Sequence, residues 1–335
     1  MSQVDDAQIE KYSIQVRQKV SEERNQWKKD HWDSLTKEEK ASFPAKVLNT
    51  FSLSVLDHGF VRFVGMGTKQ TEEVIPQSAR ISYDGDELEH TEKEDANLID
   101  RLLRNVHTSP LEQINFSFQI KMPIFVMRQF VRHRTARLNE LSGRYSVLDD
   151  DFYVPEIENI KIQSKTDKQG REENDNSLSE DLREKIRQGF IEEDKFAYEK
   201  YKERIDLGLS REIARINLPL SIYTRIHWNI DLHNLFHLLS LRLDSHAQWE
   251  IREYAAAIYA FVKEMAPVTC KSFENHILKS LKFSHQEITF LKPFLERLSK
   301  DFDQEWIQEQ LLLVFNHDVK AIDRFRTKLV EGRQT

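Results

Sequence analysis

The stretch Arg128-Gln129-Phe130-Val131-Arg132-His133-Arg134-Thr135-Ala136-Arg137-Leu138-Asn139-Glu140-Leu141-Ser142-Gly143-Arg144-Tyr145 holds five arginines and one carboxylate, in a chain whose net charge is −7. Guanidinium forks make bidentate contacts with phosphate and carboxylate groups, so the cluster is suited to anions. A solvated helix face would also tolerate the arginines. It would not need Gln129, Asn139, Glu140, Ser142 and Tyr145 as hydrogen-bond partners, nor Gly143, which lets a backbone come close to a ligand.

The residues ahead of the cluster set its place in a fold. Ile114, Phe116, Phe118, Ile120 and Met122 alternate with Asn115, Ser117, Gln119 and Lys121, the period of a strand with one buried face. Pro123 then leads into a short apolar helix that delivers Arg128 and Arg132. Upstream, Asp57-His58-Gly59 reads as a turn and Phe60–Val64 as a strand. Thr91 with Glu94 forms a capping box for a helix whose apolar face includes Leu98, Ile99, Leu102, Leu103 and Val106. Pro110, in His107-Thr108-Ser109-Pro110-Leu111-Glu112, stops it.

Downstream, residues 158–176 are almost wholly polar and read as an exposed insertion. Ser177 with Glu180 is expected to cap a charged helix running to about Asp206. Ser210–Pro219 reads as a capped short helix stopped by proline, and Ser221–Ile230 as a strand. Asp231 caps a helix through Leu232, Leu235, Leu238, Leu239 and Leu241 to Arg242, and Ser245 with Gln248 forms a capping box for the next. Residues 1–50 are helical and charged, with Thr36 and Glu39 as a capping box and Pro44 interrupting the turn that follows. Ser284 with Glu287 starts a further helical segment.

The chain has 335 residues, 31% of them charged and 39% hydrophobic, a globular composition with ample core. Its acidity argues against nucleic-acid or membrane-surface binding by the whole molecule. A single cysteine, Cys270, excludes an internal disulfide framework and fits a reducing compartment. The polar start of the chain shows no signal-peptide pattern, and no apolar run has transmembrane length. A cytoplasmic protein is expected. The Gly-x-Gly-x-x-Gly and Gly-Lys-Ser/Thr patterns do not occur, so a Rossmann turn or P-loop holds no dinucleotide here.

Arg132-His133-Arg134, seven residues and Ser142 resemble the motif of the flavin-dependent thymidylate synthases. Arg128-Gln129 and Asn139–Tyr145 match around it, and Leu241-Arg242-Leu243-Asp244-Ser245-His246-Ala247-Gln248-Trp249-Glu250 is family-like as well. The resemblance spans residues 51–279. It implies a catalytic body there, with helical extensions over 1–50 and 280–335. It also implies a methyltransferase that converts dUMP to dTMP, with FAD as carrier, NADPH as reductant and 5,10-methylenetetrahydrofolate as carbon donor. All these ligands are anionic.

By the same resemblance, Ser109, Arg132, His133, Arg134 and Glu140 would line the FAD, together with Asp231, Leu232, His233 and His237. The dUMP would be enclosed by Gln129, Phe130, Val131 and Arg132, by Glu140, Leu141, Ser142, Gly143 and Arg144, and by Arg215 and Arg242. Arg242 matches the arginine that favours ionisation at pyrimidine N3 and is the catalytic candidate. At Asp231-Leu232-His233 and His237 many members carry Asn-x-Arg and His or Asn, and an imidazole does not reproduce a guanidinium fork. The family assembles as homotetramers with shared active sites.

Two other readings stand beside this one. His233 and His237 lie four apart on one helix face, a zinc-like spacing, although no glutamate accompanies them and no metal is expected. The arginine block could instead serve a non-enzymatic RNA- or nucleotide-binding module. Ser142 has no Ser/His/Asp arrangement around it and is expected to bond the nucleotide. The architecture expected is α+β: a small mixed or antiparallel sheet packed with long helices.

Overall fold

The computed structural model describes residues 4–27, 29–67, 71–83, 90–165, 168–172, 177–301 and 304–331. In chain order the elements are α1 (Asp6–Gln26), α2 (Lys29–Ser34), α3 (Lys37–Leu48), β1 (Ser52–Val55), β2 (Gly59–Met66), α4 (Val74–Arg80), α5 (Glu92–Arg104), β3 (Asn115–Pro123), α6 (Ile124–Phe130) and β4 (Arg137–Glu140). Then follow α7 (Glu180–Asp206), α8 (Arg211–Ala214), β5 (Tyr223–Asp231), α9 (Leu232–Arg242), α10 (Trp249–Met265), α11 (Pro267–Phe273), a π-helical turn (Glu274–Leu278), α12 (His285–Asp301), α13 (Gln304–Val314) and α14 (Val319–Glu331). The class is α+β, as expected. The sheet is antiparallel throughout, in the order β1-β2-β3-β5-β4.

Strand β3 is central because its alternation is strict. Phe116, Phe118, Ile120 and Met122 are fully buried on one face, and the paired strand β5 adds Ile226, Trp228 and Ile230. Against this face lies α10, whose residues Ile251 to Val262 are all buried. Ala255, Ala256, Ala257 and Ala260 are short enough to let the helix approach the sheet closely, while Phe261 packs on Phe63 and Phe118. Gly59 is required where β2 passes this helix: a Cβ there would lie 2.0 Å from the Tyr254 hydroxyl oxygen.

The N-terminal residues are helical, as expected, and they share this core. Ile9, Tyr12, Val16 and Val20 of α1 are buried with the α10 side chains. Glu253, almost fully buried on α10, accepts hydrogen bonds from Gln8 Nε2 (2.6 Å), Lys11 Nζ (2.9 Å) and the Tyr12 hydroxyl. Burial and the adjacent carboxylate push the Tyr12 hydroxyl well above its ordinary pKa, so it stays a donor.

Several local expectations are corrected. Pro44 lies inside α3 and does not interrupt it: burial of Phe43, Ala45 and Leu48 on the same helix offsets the lost backbone bond. Val106 lies beyond the end of α5, exposed and with φ of 58°, because the helix stops at Arg104. Ser179, not Ser177, caps α7, its side chain accepting from the Leu182 amide. Ser210 starts α8 without a side-chain cap, and the strand expected over 221–230 begins at Tyr223 and ends at Asp231. Ser245 and Gln248 form no capping box, since α10 starts at Trp249 with no side-chain cap. The capping boxes at Thr36, Thr91 and Ser284 and the Asp231 cap are formed as expected.

The described part of the polar insertion is anchored rather than freely exposed. Ile160 is buried, and Arg171 bonds the Asn159 carbonyl (2.9 Å), pairs with Glu250 (3.4 Å) and lies over the Trp249 ring. Positions 166, 167 and 173–176 of the insertion lie outside the described residues. Among the described residues no helix is long and apolar enough to cross a membrane.

Removing the Glu253 carboxylate by Glu253→Ala strands the buried Gln8 and Tyr12 donors on α1. The expected loss is on the order of 3 kcal/mol of stability, read as a lower melting temperature. An unchanged melting temperature would show that α1 is held by its apolar face alone.

Candidate active site

Helix α6 ends at Phe130, and the chain turns through residues 131–136 before entering β4. The turn is closed by His133 N donating to the Phe130 carbonyl (3.0 Å) and Ala136 N to the His133 carbonyl (3.2 Å). Edge strand β4 pairs with β5, Arg137 opposite Asn229 and Glu140 opposite Ile226. Arg137 Nη1 donates to Asn229 Oδ1, and Asn229 Nδ2 to Ser117 Oγ, so a polar row crosses three strands on the outer face. The result is an open apron of exposed arginines at 128, 132, 134, 137 and 144.

Phe130 is the exception within the block. It is fully buried between the Trp228 and Tyr254 rings, so any ligand contact there falls to its main chain. The same holds for buried Leu232 on α9, and Val131 is exposed. Ser109 is exposed in a 3-10 turn whose neighbours Pro110 and Leu111 are buried, and this turn packs against α9. Asp231 spends its carboxylate on capping, accepting from the Asn234 amide (2.9 Å) and Asn234 Nδ2 (2.7 Å).

The two arginine-bearing blocks meet within one chain. Arg242 Nε, at the end of α9, donates to His133 Nε2 at 3.2 Å. The His133 and His237 rings stand edge to face, 6.2 Å between centroids, with His237 exposed and His233 half-buried on the same helix. Arg215 lies against Gly143, where a Cβ would come within 3.0 Å of its Cδ. A side chain at position 143 would make Arg215 and Leu148 give way by a few tenths of an ångström. Arg144 Nε pairs with Glu212 Oε2 at 3.4 Å, and Arg211 Nη1 donates to the Tyr145 carbonyl.

Burial weakens the basicity of both central groups. Desolvation, then Arg242, then His237 bring His133 from 6.5 to about 4, so its ring is neutral at physiological pH and accepts the Arg242 proton donor. Desolvation also lowers the Arg242 pKa, while the guanidinium remains a cation. Among the described residues the terminal amino groups of Arg242 make no hydrogen bond. Ser142 Oγ accepts from the Arg144 amide at 3.3 Å. Among the described residues no group of three histidine, cysteine or carboxylate side chains is arranged to hold a metal.

Four contributors escaped sequence reasoning. Gln248 accepts from Gln129 Nε2 (2.6 Å), Thr224 donates to Glu140 Oε1 (2.8 Å), the Arg225 carbonyl accepts from the Leu141 amide, and Glu212 pairs with Arg144. None carries a local signal. Each is defined by a partner far away in sequence.

A sequence profile of the family described as Thymidylate synthase complementing protein matches residues 64–268. A protein named Flavin-dependent thymidylate synthase from Treponema denticola is 46% identical over 281 residues, covering 84% of this chain and 97% of that protein. One of the same name from Thermus thermophilus is 46% identical over 245 residues, 73% of this chain and 86% of that protein. The crystal structure of a UMP/dUMP methylase, PolB, from Streptomyces cacaoi bound with 5-Br dUMP superposes with a TM-score of 0.61 at 28% identity. It covers 68% of this chain and all of that one. The profile match and this extent of identity define the class. The chain belongs to the flavin-dependent thymidylate synthase family.

The depressed His133 pKa means that the fold favours the neutral ring. The stability tied to it is present above about pH 6.5 and is lost as pH falls towards 4. NMR titration of His133 in the ligand-free protein should give a midpoint near 4, and Arg242→Gln should move it upward. A midpoint at the ordinary value in the unsubstituted protein would mean that His133 is neither desolvated nor facing Arg242.

Proposed function

We propose that this chain reductively methylates dUMP to dTMP, and that Arg242 activates the pyrimidine. The observation that carries the reading is the half-buried guanidinium fixed through Nε on His133, with its terminal amino groups uncommitted. A neutral histidine holds Arg242 without cancelling its charge, because it accepts a hydrogen bond and contributes no anion. The fixed cation is then available to stabilise negative charge developing at N3 of the ring.

The arginine apron fits the phosphate groups of FAD and dUMP, and the Gly143 cradle admits Arg215 to the same place. Arg132, His133, Arg134, Ser109 and Glu140 would line the flavin, with Asp231, Leu232, His233 and His237 along α9. Gln129 to Arg132, Glu140 to Arg144, Arg215 and Arg242 would enclose the nucleotide. When bound, the flavin supplies the hydride chemistry. The chain's own residues bind, orient and polarise. NADPH would be the reductant and 5,10-methylenetetrahydrofolate the carbon donor.

These side chains all fall within residues 51–279, which we take as the catalytic body, with 1–50 and 280–335 as additions to it. The apron is too open in one chain to enclose a flavin. Tyr145 (78% exposed) and Ile216 (70% exposed) add uncovered apolar surface beside it. A homotetramer with sites completed by a second copy accounts for both features. The cytoplasm is the compartment that suits such an enzyme.

The purified protein should carry or take up FAD, NADPH should bleach it, and dUMP with methylenetetrahydrofolate should restore the colour with formation of dTMP. A protein without FAD affinity would refute the reading. Arg242→Ala is expected to lower dTMP formation by about 10²–10³-fold with FAD binding retained, and Arg242→Lys to recover part of it. Normal turnover by the Ala variant would show the role to be misassigned.

Cys270 provides a separate test. The other kind of thymidylate synthase attacks the ring with a cysteine thiolate. Here the single thiol is fully buried in α11, and burial together with Glu72 and Glu274 pushes its pKa well up. Cys270→Ser should leave dTMP formation essentially intact. A stable, FAD-loaded and inactive Ser variant would overturn the mechanism.

A further inference from the structure

A cleft of about 1320 Å³ opens between α5, the α11–π-helix segment and the α13–α14 hairpin. It is separate from the arginine block: Arg132, His133, Arg215 and Arg242 do not line it. Its walls bring Arg101 and Arg104 of α5, Lys271 of α11, and Lys320 and Arg324 of α14 around one hollow, against Glu94, Asp100 and Asp318. Arg80 also reaches it, but is paired with Asp95 at 2.6 Å.

Five cations face three carboxylates in the hollow, which leaves an excess of positive charge. Asp100 is already shared, accepting from His276 Nε2 at 2.7 Å and from Arg104 Nη1 at 3.1 Å. Arg101, Lys271 and Arg324 form no ion pair among the described residues. Arg104 Nε is buried without a hydrogen-bond partner. Burial, with Arg324 and Arg101 as like-charged neighbours, lowers the Arg104 pKa. Three guanidiniums crowd around the single Asp100 carboxylate, and a further anion would relieve the local excess of positive charge.

We propose that this cleft is a second ligand site, taking an anion that carries two or more phosphate groups. Forked guanidiniums suit phosphate oxygens, and several uncompensated cations call for more than one anionic group. The volume admits a nucleotide-sized molecule. Asn97, Asn105 and Asn275 add amide donors and acceptors at the wall, and Phe315 and Phe325, with rings 5.5 Å apart, offer an apolar surface for an organic moiety. The family profile ends at residue 268, so Lys271 and the α14 side of the site belong to the part of the chain beyond it.

Isothermal titration calorimetry on the full chain, pre-saturated with FAD and dUMP, tests the assignment with inorganic tripolyphosphate, ATP and tetraglutamate as probes. Tripolyphosphate or ATP should bind saturably, and the Arg101→Ala/Arg324→Ala double variant should bind at least ten-fold more weakly. FAD and dUMP affinity in the double variant should be unchanged, which controls for folding. Tighter binding of ATP than of tripolyphosphate identifies a nucleotide as occupant, and the reverse a free polyphosphate. No saturable binding of either phosphate, equal affinity in both proteins, or binding of tetraglutamate alone would overturn the proposal.

Discussion

Strand β5 lies between β3 and β4, and this pairing is the constraint on which the site depends. On one side its nine residues match β3 from Asn115–Asp231 to Pro123–Tyr223. On the other, four residues hold β4 and with it the arginine block. Because side chains alternate across a strand, a slip of one residue would turn Trp228 and Ile226 out to solvent and Asn229 and His227 into the core. The register is therefore held by burial. The same register puts Asn229 beside Arg137 and Thr224 beside Glu140, and β5 runs directly into α9, which ends in Arg242.

Helix α10 supports that sheet from beneath at a cost in polar burial. Glu250, Arg252 and Glu253 are buried along with its apolar side chains. Charges can occupy such positions only when they are compensated. Glu253 meets three donors from α1, and Glu250 accepts from the Tyr153 hydroxyl and lies beside Arg171. The N-terminal helix and the polar insertion thus supply partners for the buried carboxylates of α10.

The electrostatics of the proposed site follow from the choice of histidine as Arg242's partner. A carboxylate in that position would have held the arginine equally well and cancelled its charge. A neutral imidazole fixes the guanidinium and leaves the charge directed outward. Burial first, and then the facing Arg242 cation, account for the low basicity of His133.

Much of this protein was legible in the chain itself. The alternation over 114–122 and the caps at Thr36, Thr91, Asp231 and Ser284 are local patterns, and the structure forms each of them where expected. Local pattern failed where a helix end or strand depended on a distant neighbour. Four exposed residues of β4 have no strand period and become a strand only through β5. Pro44 stays helical because the flanking side chains are buried. Gln248 left its capping role for Gln129, and Arg242 was joined to His133, across sequence separations of 119 and 109 residues. The sequence by itself determined which groups the protein carries and those helices and strands that have a clear apolar period. Only the tertiary structure decided which groups touch and with what charge state, because contact and desolvation are properties of the packed core rather than of neighbouring residues in the chain.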